Sequence, residues 1–393
     1  MAQGEKPYRV YRGGRVKGRV PTLPKPEERK PARDGRKAFD RFKGPGPKRQ
    51  RQPSQKQKRP ANWRRRILIG VIAFILLVLV WSVASYLSLR SGAKDANKRL
   101  SASARASLVP QNGLILSHPS VILLLGTDHS KRIQERSGFQ RTDSMMLLRT
   151  DPGKGRLNYL SLPRDLRVDI PGHGFDKINA AFQIGGAPLA IRTVRQFTDV
   201  EVNHVVIVDF DTFIKVIDKV GGVTIDVPAP ILSNKFDCPF KTQARCDRWQ
   251  GWRFGKGKQH MDGRRARVYS RIRENKLNPK ESDITRGERQ QAVIQALLSR
   301  LTSPGVLIKL PFIGGDIMRP LTTDLSAGQM IQLALVKKRS HELHCRIGGT
   351  PQGFGGGYLS PDEEARRTLA AFLGRSAPQP PLPGSAYGSG CKR

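Results

Sequence analysis

Acidic side chains are scarce in this sequence: 32 Asp and Glu stand against 70 Lys and Arg over 393 residues, a formal net charge of +38. A balance so basic points to anionic partners, either nucleic acid or an anionic membrane surface. Apolar residues are nearly missing from positions 1–66, where Tyr8, Tyr11, Phe39 and Phe42 stand out among Lys, Arg, Pro, Gly and Gln. No core can form there, so 1–66 is expected to be a disordered basic arm. The arm also lacks a helix-turn-helix pattern, and its low complexity argues against reading bases, so no nucleic-acid partner is expected. Cysteine is sparse as well: Cys238, Cys246, Cys345 and Cys391 show no zinc-ligand spacing. His341, His344 and Cys345 lie close together but have no second ligand pair, which leaves no zinc centre to expect.

Against these shortages stands one long apolar run. Ile67 to Leu89 carries no charge and, at ~1.5 Å per residue, is long enough to cross a ~30 Å hydrocarbon core with some tilt. Trp63 lies near one end and Trp81 and Tyr86 towards the other, as interfacial aromatics do. The run is too long and too deep in the chain for a cleaved signal peptide, so 67–89 is expected to be a single transmembrane helix. Arg64, Arg65 and Arg66 adjoin it. The positive-inside rule then places the N-terminus in the cytoplasm and everything after Leu89 outside, with the arm tethered to anionic headgroups. All four cysteines fall on the outer, oxidising side, which suggests disulfides. Cys238 with Cys246 is the favoured pairing and Cys345 with Cys391 the weaker one.

The outer part divides into a polar, Ala-rich stretch that continues as a helix or stalk (90–113), a domain (114–373) and a Gly/Pro/Ser-rich flexible tail (374–393). Within the domain, Val121 to Leu125 is a short continuous apolar run ending in Gly126, Thr127 and Asp128, the pattern of a buried central strand. Arg141–Thr150, a DPGKG turn and Arg156–Asp165 read as strand, turn, strand. A short strand (Leu166–Ile170), a helix (Pro188–Phe197), a strand (His204–Asp209), a helix (Asp211–Val220) and a strand (Val223–Val227) follow. This alternation predicts an α/β fold, a central mixed β-sheet flanked by helices. Cys238–Gly257 reads as an insertion or lid, Ser326–Lys337 as a helix and His341–Ile347 as a strand.

The segment Asp283–Leu301 carries the most information. Thr285 and Glu288 form a capping-box pattern that starts a helix at Arg286. Val293, Ile294, Leu297, Leu298 and Leu301 share one side of it, and Arg286 and Gln290 project from that same side, with Arg289 at its edge. Cations in a first turn oppose the helix dipole by roughly 0.3–1 kcal/mol each, and an anion at that terminus reverses the sign. Two readings stand: Arg286 and Arg289 bind phosphate, or they pair with Glu281, Asp283 or Glu288 at the surface.

Polar residues also cluster at strand ends, where open α/β sheets bind ligands. Asp128 follows one strand, Arg141 and Asp143 begin the next, and Arg164 and Asp165 follow a third. Asp128 and Asp143 either hold Mg²⁺ or cap turns and pair with nearby arginines; Arg164 and Asp165 either serve the site or pair with each other. Arg271 and Arg273 would share a face in a strand, and Lys177 and Asn179 open a KINAA helix. As a set, these are many cations and two acids without a His or Cys nucleophile. Such a set suits a metal-bound pyrophosphate, where positioning and charge stabilisation carry catalysis.

In order, GTD (Gly126–Asp128), RTDSMML (Arg141–Leu147), LPRD (Leu162–Asp165), KINAAFQIGG (Lys177–Gly186), VDF with a following helix and GGV, DGRRARVYSRIR (Asp262–Arg273) and DITRGERQQ (Asp283–Gln291) resemble the motifs of the LytR-CpsA-Psr family, over about His118–Leu301. The resemblance implies an Mg²⁺-dependent phosphotransferase on the outer face of the cell membrane, moving a glycopolymer from a polyprenyl-pyrophosphate carrier to a peptidoglycan acceptor. It implies Asp128 and Asp143 as metal ligands. Arg141, Arg164, Lys177, Arg271, Arg273, Arg286 and Arg289 are implied to bind pyrophosphate or act in catalysis, with Asn179 and Gln290 as supporting groups. Asp165 either orients Arg164 or acts on a proton. The polyprenyl chain needs an apolar slot, for which Phe182, Ile184, Leu189 and Ile191 are candidates alongside their ordinary role as core. Arg264, Arg265 and Arg267 stand where the family usually carries Glu or Gln and an apolar residue; they either extend a basic surface towards an acidic polymer or are inconsequential. Two competing readings are a non-catalytic module gripping anionic wall polymer or lipid, and a membrane-tethered regulator of gene expression.

Overall fold

The computed structural model describes residues 62–127, 142–278, 283–353, 357–380 and 389–392. Its centre is a seven-stranded sheet in the order β11 (Thr322–Thr323), β6 (His204–Asp209), β1 (Ser120–Thr127), β2 (Thr142–Asp151), β3 (Arg156–Leu162), β12 (His341–Arg346) and β15 (Gly390–Lys392). β1 runs antiparallel to β2 and parallel to β6, β2 antiparallel to β3, and β3 parallel to β12. The sheet is therefore mixed, as expected. β1 is apolar from Val121 to Leu125 because both of its faces are covered. Val121, Leu123, Leu125, Met145, Leu147 and Leu160 face a core shared with α3 (Ala180–Thr198) and α10 (Glu363–Phe372). Ile122, Met146, Leu148, Tyr159 and Val206 face the other way, towards α7 (Asp283–Leu301) and α9 (Ala327–Arg339).

Smaller pieces surround this sheet. The hairpin of β4 (Arg167–Ile170) and β5 (Gly174–Lys177) precedes α3. After β6 come α4 (Phe210–Lys219), β7 (Val223–Val227), β8 (Ile231–Leu232), α5 (Gln243–Arg248), β9 (Arg253–Phe254), β10 (Gly257–Met261) and α6 (Gly263–Arg271). They share a second core around Ile225, Phe254, Tyr269 and Ile272. α6 approaches α4 closely: a Cβ on Gly263 would stand 2.4 Å from the Ile214 carbonyl oxygen, so glycine is required there. α8 (Pro304–Met318) follows α7 at 82°.

Three boundaries differ from the sequence reading. The apolar segment belongs to α1 (Trp63–Lys98), which runs well past Leu89. Ser85, Leu89, Gly92, Ala93 and Ala96 of α1 are buried, so the expected stalk begins as a helix docked on the domain, followed by α2 (Ala102–Ala106). The end of the expected flexible tail forms β15, which pairs with β12 and brings Cys391 to Cys345. Both cysteine pairs are bonded, Cys238 with Cys246 and Cys345 with Cys391; a disulfide at Cys345 removes it from any metal site. Finally, α7 starts at Asp283, three residues before the capping box placed it.

Candidate active site

The strand directions collect the candidates along one edge of the sheet. Because β1, β3, β6 and β12 run the same way and β2 runs against them, the C-terminal ends of the first four meet the N-terminus of β2. This edge carries Gly126 and Thr127, Thr142 to Ser144, Leu162 to Asp165, Asp209 and Arg346. Between Gly126 and Thr127 the register slips: Gly126 faces Ser144 and Thr127 faces Thr142. Asp143 is therefore the extra residue of a β-bulge, a device that re-aims side chains at sheet edges. Asp128 and Arg141 lie outside the described residues; Asp143 is placed by its backbone.

α7 crosses the second face with its N-terminus at this same edge. Glu288 pairs with Arg346 at 3.3 Å, and further along the helix Gln295 bonds His344 Nδ1 at 2.8 Å, which fixes the direction. Its first turns bring Arg286 and Arg289, each 6% exposed. Arg289 donates from Nη2 to the Ile272 carbonyl at 2.6 Å. Burial of a guanidinium is costly unless hydrogen-bonded, so both arginines are held within the fold rather than solvated at its surface; Glu281 and the Asp283 side chain, their candidate partners, lie outside what the structure describes.

Between α7 and the sheet lies an apolar cavity of about 200 Å³. Ile122, Leu124, Leu148 and Val206 form its floor, with Ile294, Leu297, Leu298 and Leu301 of α7 above. Towards the strand ends the lining turns polar, through Thr127, Ser144 and Asp209, with Ser270 and Gln290 contributed by α6 and α7. The apolar stripe of α7 thus roofs the cavity, and Gln290, on the turn that also carries Arg286 and Arg289, lines its polar end. Phe182, Ile184, Leu189 and Ile191, the candidates for a slot alongside their role as core, do not line this cavity. Leu189 and Ile191 are core on the opposite face of the sheet, Phe182 is buried with them, and Ile184 is exposed. An apolar strand covered on both sides does not reveal which face is hollow.

A second cationic group sits beyond β3. Lys177 Nζ lies 2.7 Å from Asp165 Oδ1 and Arg164 Nε 3.2 Å from Asp165 Oδ2. Partial burial by itself would raise the Asp165 carboxyl, but hydrogen bonds and charge from Lys177 and Arg164 outweigh it and hold the group below its ordinary value. Asp165 is thereby a fixed anion that orients two cations. Asn179, at the start of α3, is buried and donates its backbone N–H to the Arg164 carbonyl at 3.3 Å, supporting the loop from behind.

Arg271 and Arg273 are not on a strand. α6 ends at Arg271 and the chain then extends, so Arg271 closes the helix while Arg273 is exposed beyond it. Arg271 and Arg267 both pair with Asp237, the second at 3.3 Å. Asp237 adjoins Cys238, and so ties the disulfide-bearing insertion to α6 next to the arginine site. Sequence reasoning missed Asp237, because a partner more than thirty positions away leaves no periodic signal. It also missed Asp209, whose signature was present: an Asp before a helix, here accepting from Thr212 N at 2.7 Å as an N-cap. Arg264 and Arg265 stack on Trp252 and Phe254. Arg265 also lines an open groove with Phe240, Arg245, Arg248, Trp249, Trp252 and Arg253.

The LytR_cpsA_psr family model matches residues 83–345. The chain is 29% identical over 326 residues to the polyisoprenyl-teichoic acid–peptidoglycan teichoic acid transferase TagV of Bacillus subtilis, covering 79% of this chain and 78% of that protein. It is 28% identical over 256 residues to the transferase TagT of Bacillus subtilis, covering 65% and 75%. Among solved structures, the crystal structure of B. subtilis TagV aligns with a TM-score of 0.52 at 29% identity, over 66% of this chain and 99% of that one. A structure of TagT bound to LI-WTA aligns at 0.51 and 27% identity, over 67% and 94%.

Proposed function

The chain belongs to the LytR_cpsA_psr family, and from that premise we propose that it is a membrane-anchored transferase that moves an anionic glycopolymer from a polyprenyl-pyrophosphate carrier to peptidoglycan on the outer face of the cell membrane. The observation that carries this reading is the apolar cavity under α7, whose polar end is lined by Gln290 on the same helix turns as buried Arg286 and Arg289. A polyprenyl chain fits such a slot, and its pyrophosphate meets guanidinium forks and a helix N-terminus at the mouth. The relatives named as teichoic acid transferases support the same substrate class.

In this reading Arg286, Arg289 and Arg271 grip the pyrophosphate, with Arg273 at the rim and Gln290 on the wall. Lys177 and Arg164, held by Asp165, together with Arg141, neutralise charge as the reaction proceeds. A hydroxyl of the peptidoglycan acceptor attacks the phosphorus bearing the glycopolymer. The P–O bond to the polyprenyl phosphate breaks, polyprenyl phosphate leaves, and the hydroxyl proton is released. Asp165 acts as a positioning residue for Arg164. The neighbourhood of the Asp143 bulge, with Thr142 and Ser144 beside it on β2 and Thr127 across on β1, has the oxygen donor chemistry Mg²⁺ takes when substrate phosphate and water supply the other ligands. Asp128, outside the described residues, and Asp143 are the residues that would hold the ion; among the described residues no cluster of three or more His, Cys, Asp or Glu is placed to hold a metal. Bound there, it would supply further charge neutralisation on the pyrophosphate. The arginine groove beside the insertion is the path for the acidic polymer.

The test is turnover by the full chain in nanodiscs with a polyprenyl-pyrophosphate oligosaccharide, peptidoglycan fragments and Mg²⁺. Release of polyprenyl phosphate and attachment of sugar are followed in wild type, Arg289→Ala and Asp143→Ala. Acceptor-dependent transfer that disappears with chelator and in both variants is expected. Wild-type protein that binds the lipid yet transfers nothing, under conditions where a characterised transferase works, would replace the enzyme with a binding module.

A further inference from the structure

α8 presents an apolar face to solvent where a folded domain has no use for one. Ile308 is 67% and Phe312 84% exposed, one turn apart on the same side of the helix. Isolated surface apolars are ordinary, but a ridge like this marks an interaction surface. What covers it is indicated by its neighbour. α8 runs alongside α1, in the same direction: Trp81 Nε1 donates to the Ile308 carbonyl at 3.2 Å, and Gly315 N donates to Ser88 Oγ at 3.0 Å. A Cβ on Gly92 would stand 2.4 Å from the Gly315 oxygen, so the two backbones are in close contact. α8 cannot shift relative to α1 without breaking this seam.

The seam sets a depth. The lipid-exposed run of α1 from Ile67 to Leu87 is about 31 Å long at ~1.5 Å per residue, the thickness of one hydrocarbon core. Trp81 lies about 9 Å inside its outer end. Ile308, bonded to Trp81, is therefore carried below the outer boundary. The charges on α8 agree with that placement. Asp316 with Lys219 at 2.7 Å, and Arg319 with Asp95 at 3.2 Å, lie on the outward turns, above Phe312. The lower half carries one charge, Lys309, on a stem long enough to reach the interface. The upper end of α8 also contributes Ile317 to the apolar cavity, next to Leu297 and Leu301 of α7.

We propose that the first half of α8 is a membrane-inserted wedge, with Ile308 and Phe312 in the acyl region of the outer leaflet, and that the α7–α8 elbow is the portal through which a polyprenyl chain passes laterally from the bilayer into the cavity. The portal's role rests on the transferase reading; the insertion rests on the α1–α8 seam and on α1 crossing the membrane. The two are tested separately.

For insertion, the full chain carrying Phe312→Cys is labelled with an environment-sensitive fluorophore in phosphatidylethanolamine/phosphatidylglycerol nanodiscs, the native cysteines being disulfide-bonded. Phe175→Cys, on the exposed β4–β5 hairpin, is the aqueous control. Quenching at position 312 by acyl-chain nitroxide lipid, at least threefold stronger than at 175, is expected; equal quenching at both positions overturns the proposal. For the portal, the Ile308→Glu/Phe312→Glu double variant is expected to slow transfer from a long-chain polyprenyl donor at least tenfold while leaving a short, water-soluble prenyl donor within twofold. Equal loss on both donors overturns the portal. Wild-type protein inactive on both donors with insertion intact would instead remove the transferase reading.

Discussion

Replacing Asp165 by Asn tests whether the acid is a scaffold for cations or a participant in proton transfer. The carboxylate receives Lys177 at 2.7 Å and Arg164 at 3.2 Å, and the three side chains are 24%, 32% and 20% exposed respectively. Fully buried charge-assisted bonds are worth about 1.5–3 kcal/mol each, but water screens this group, so a loss of about 1 kcal/mol in stability is expected. That corresponds to a fall of about 2–4 °C in Tm. The larger effect is catalytic: freeing Arg164 and Lys177 from their anchor removes the equivalent of one preorganised donor, about 100-fold in kcat or about 2.7 kcal/mol. The sign of the pH effect follows from the depressed carboxyl. Its stabilising contribution is complete above the ordinary value of 3.8 and is lost as pH falls through the lower folded value. Between pH 5 and 8 the group stays charged, and Asp165→Asn should lower the rate without changing the shape of the pH profile. Transfer kinetics across that range, with thermal melts on the same preparations, provide the measurement. A variant within threefold of wild type, or one whose pH profile changes shape, would refute the positioning role.

Four further outcomes follow from the same geometry. Ile294→Trp places an indole in the cavity and should raise KM for a long-chain polyprenyl donor about tenfold with a near-native melt, read by donor titration. Arg245→Ala/Arg248→Ala, both exposed on the insertion groove, should weaken binding of an alditol-phosphate oligomer about tenfold and flatten its salt dependence, read by fluorescence anisotropy. Removing the Cys238–Cys246 bond with paired Ser substitutions releases a loop closed over 8 residues; chain entropy puts the cost at about 2.5 kcal/mol, measurable by denaturant unfolding. His344, stacked on Tyr159 at 4.7 Å, is pushed down to about 4 by burial and then by Lys337. The unfolded chain binds that proton first, so stability is full above about 6.5 and falls as pH drops towards 4; His344→Phe should reduce that slope in pH-dependent melts.

Much of this was legible along the chain because it is written in local periods and lengths. An uncharged apolar run as long as a bilayer is thick stands out whatever surrounds it, and α1 carries it as one long apolar helix, consistent with a membrane anchor. Val121–Leu125 reads as a central strand because both of its neighbours are apolar layers. The stripe Ile294, Leu297, Leu298, Leu301 continuing into Gln290 and Arg286 already joined an apolar face to a cationic turn, since residues three and four apart share a helix face. What the periods do not encode is which distant element each face meets. β1 is apolar on both sides, so only the placement of α7 showed that the hollow lies beneath it rather than beneath α3. Arg271 and Arg273 are two apart in either conformation; burial of Val268, Tyr269 and Ile272 against β7 and the insertion made the segment a helix that separates them. Asp237 joining Arg271, Cys391 returning to Cys345, and Gly92 against Gly315 are contacts between residues far apart in sequence. Chain entropy opposes each of them until the whole core forms, and so it is packing, not pattern, that decided them.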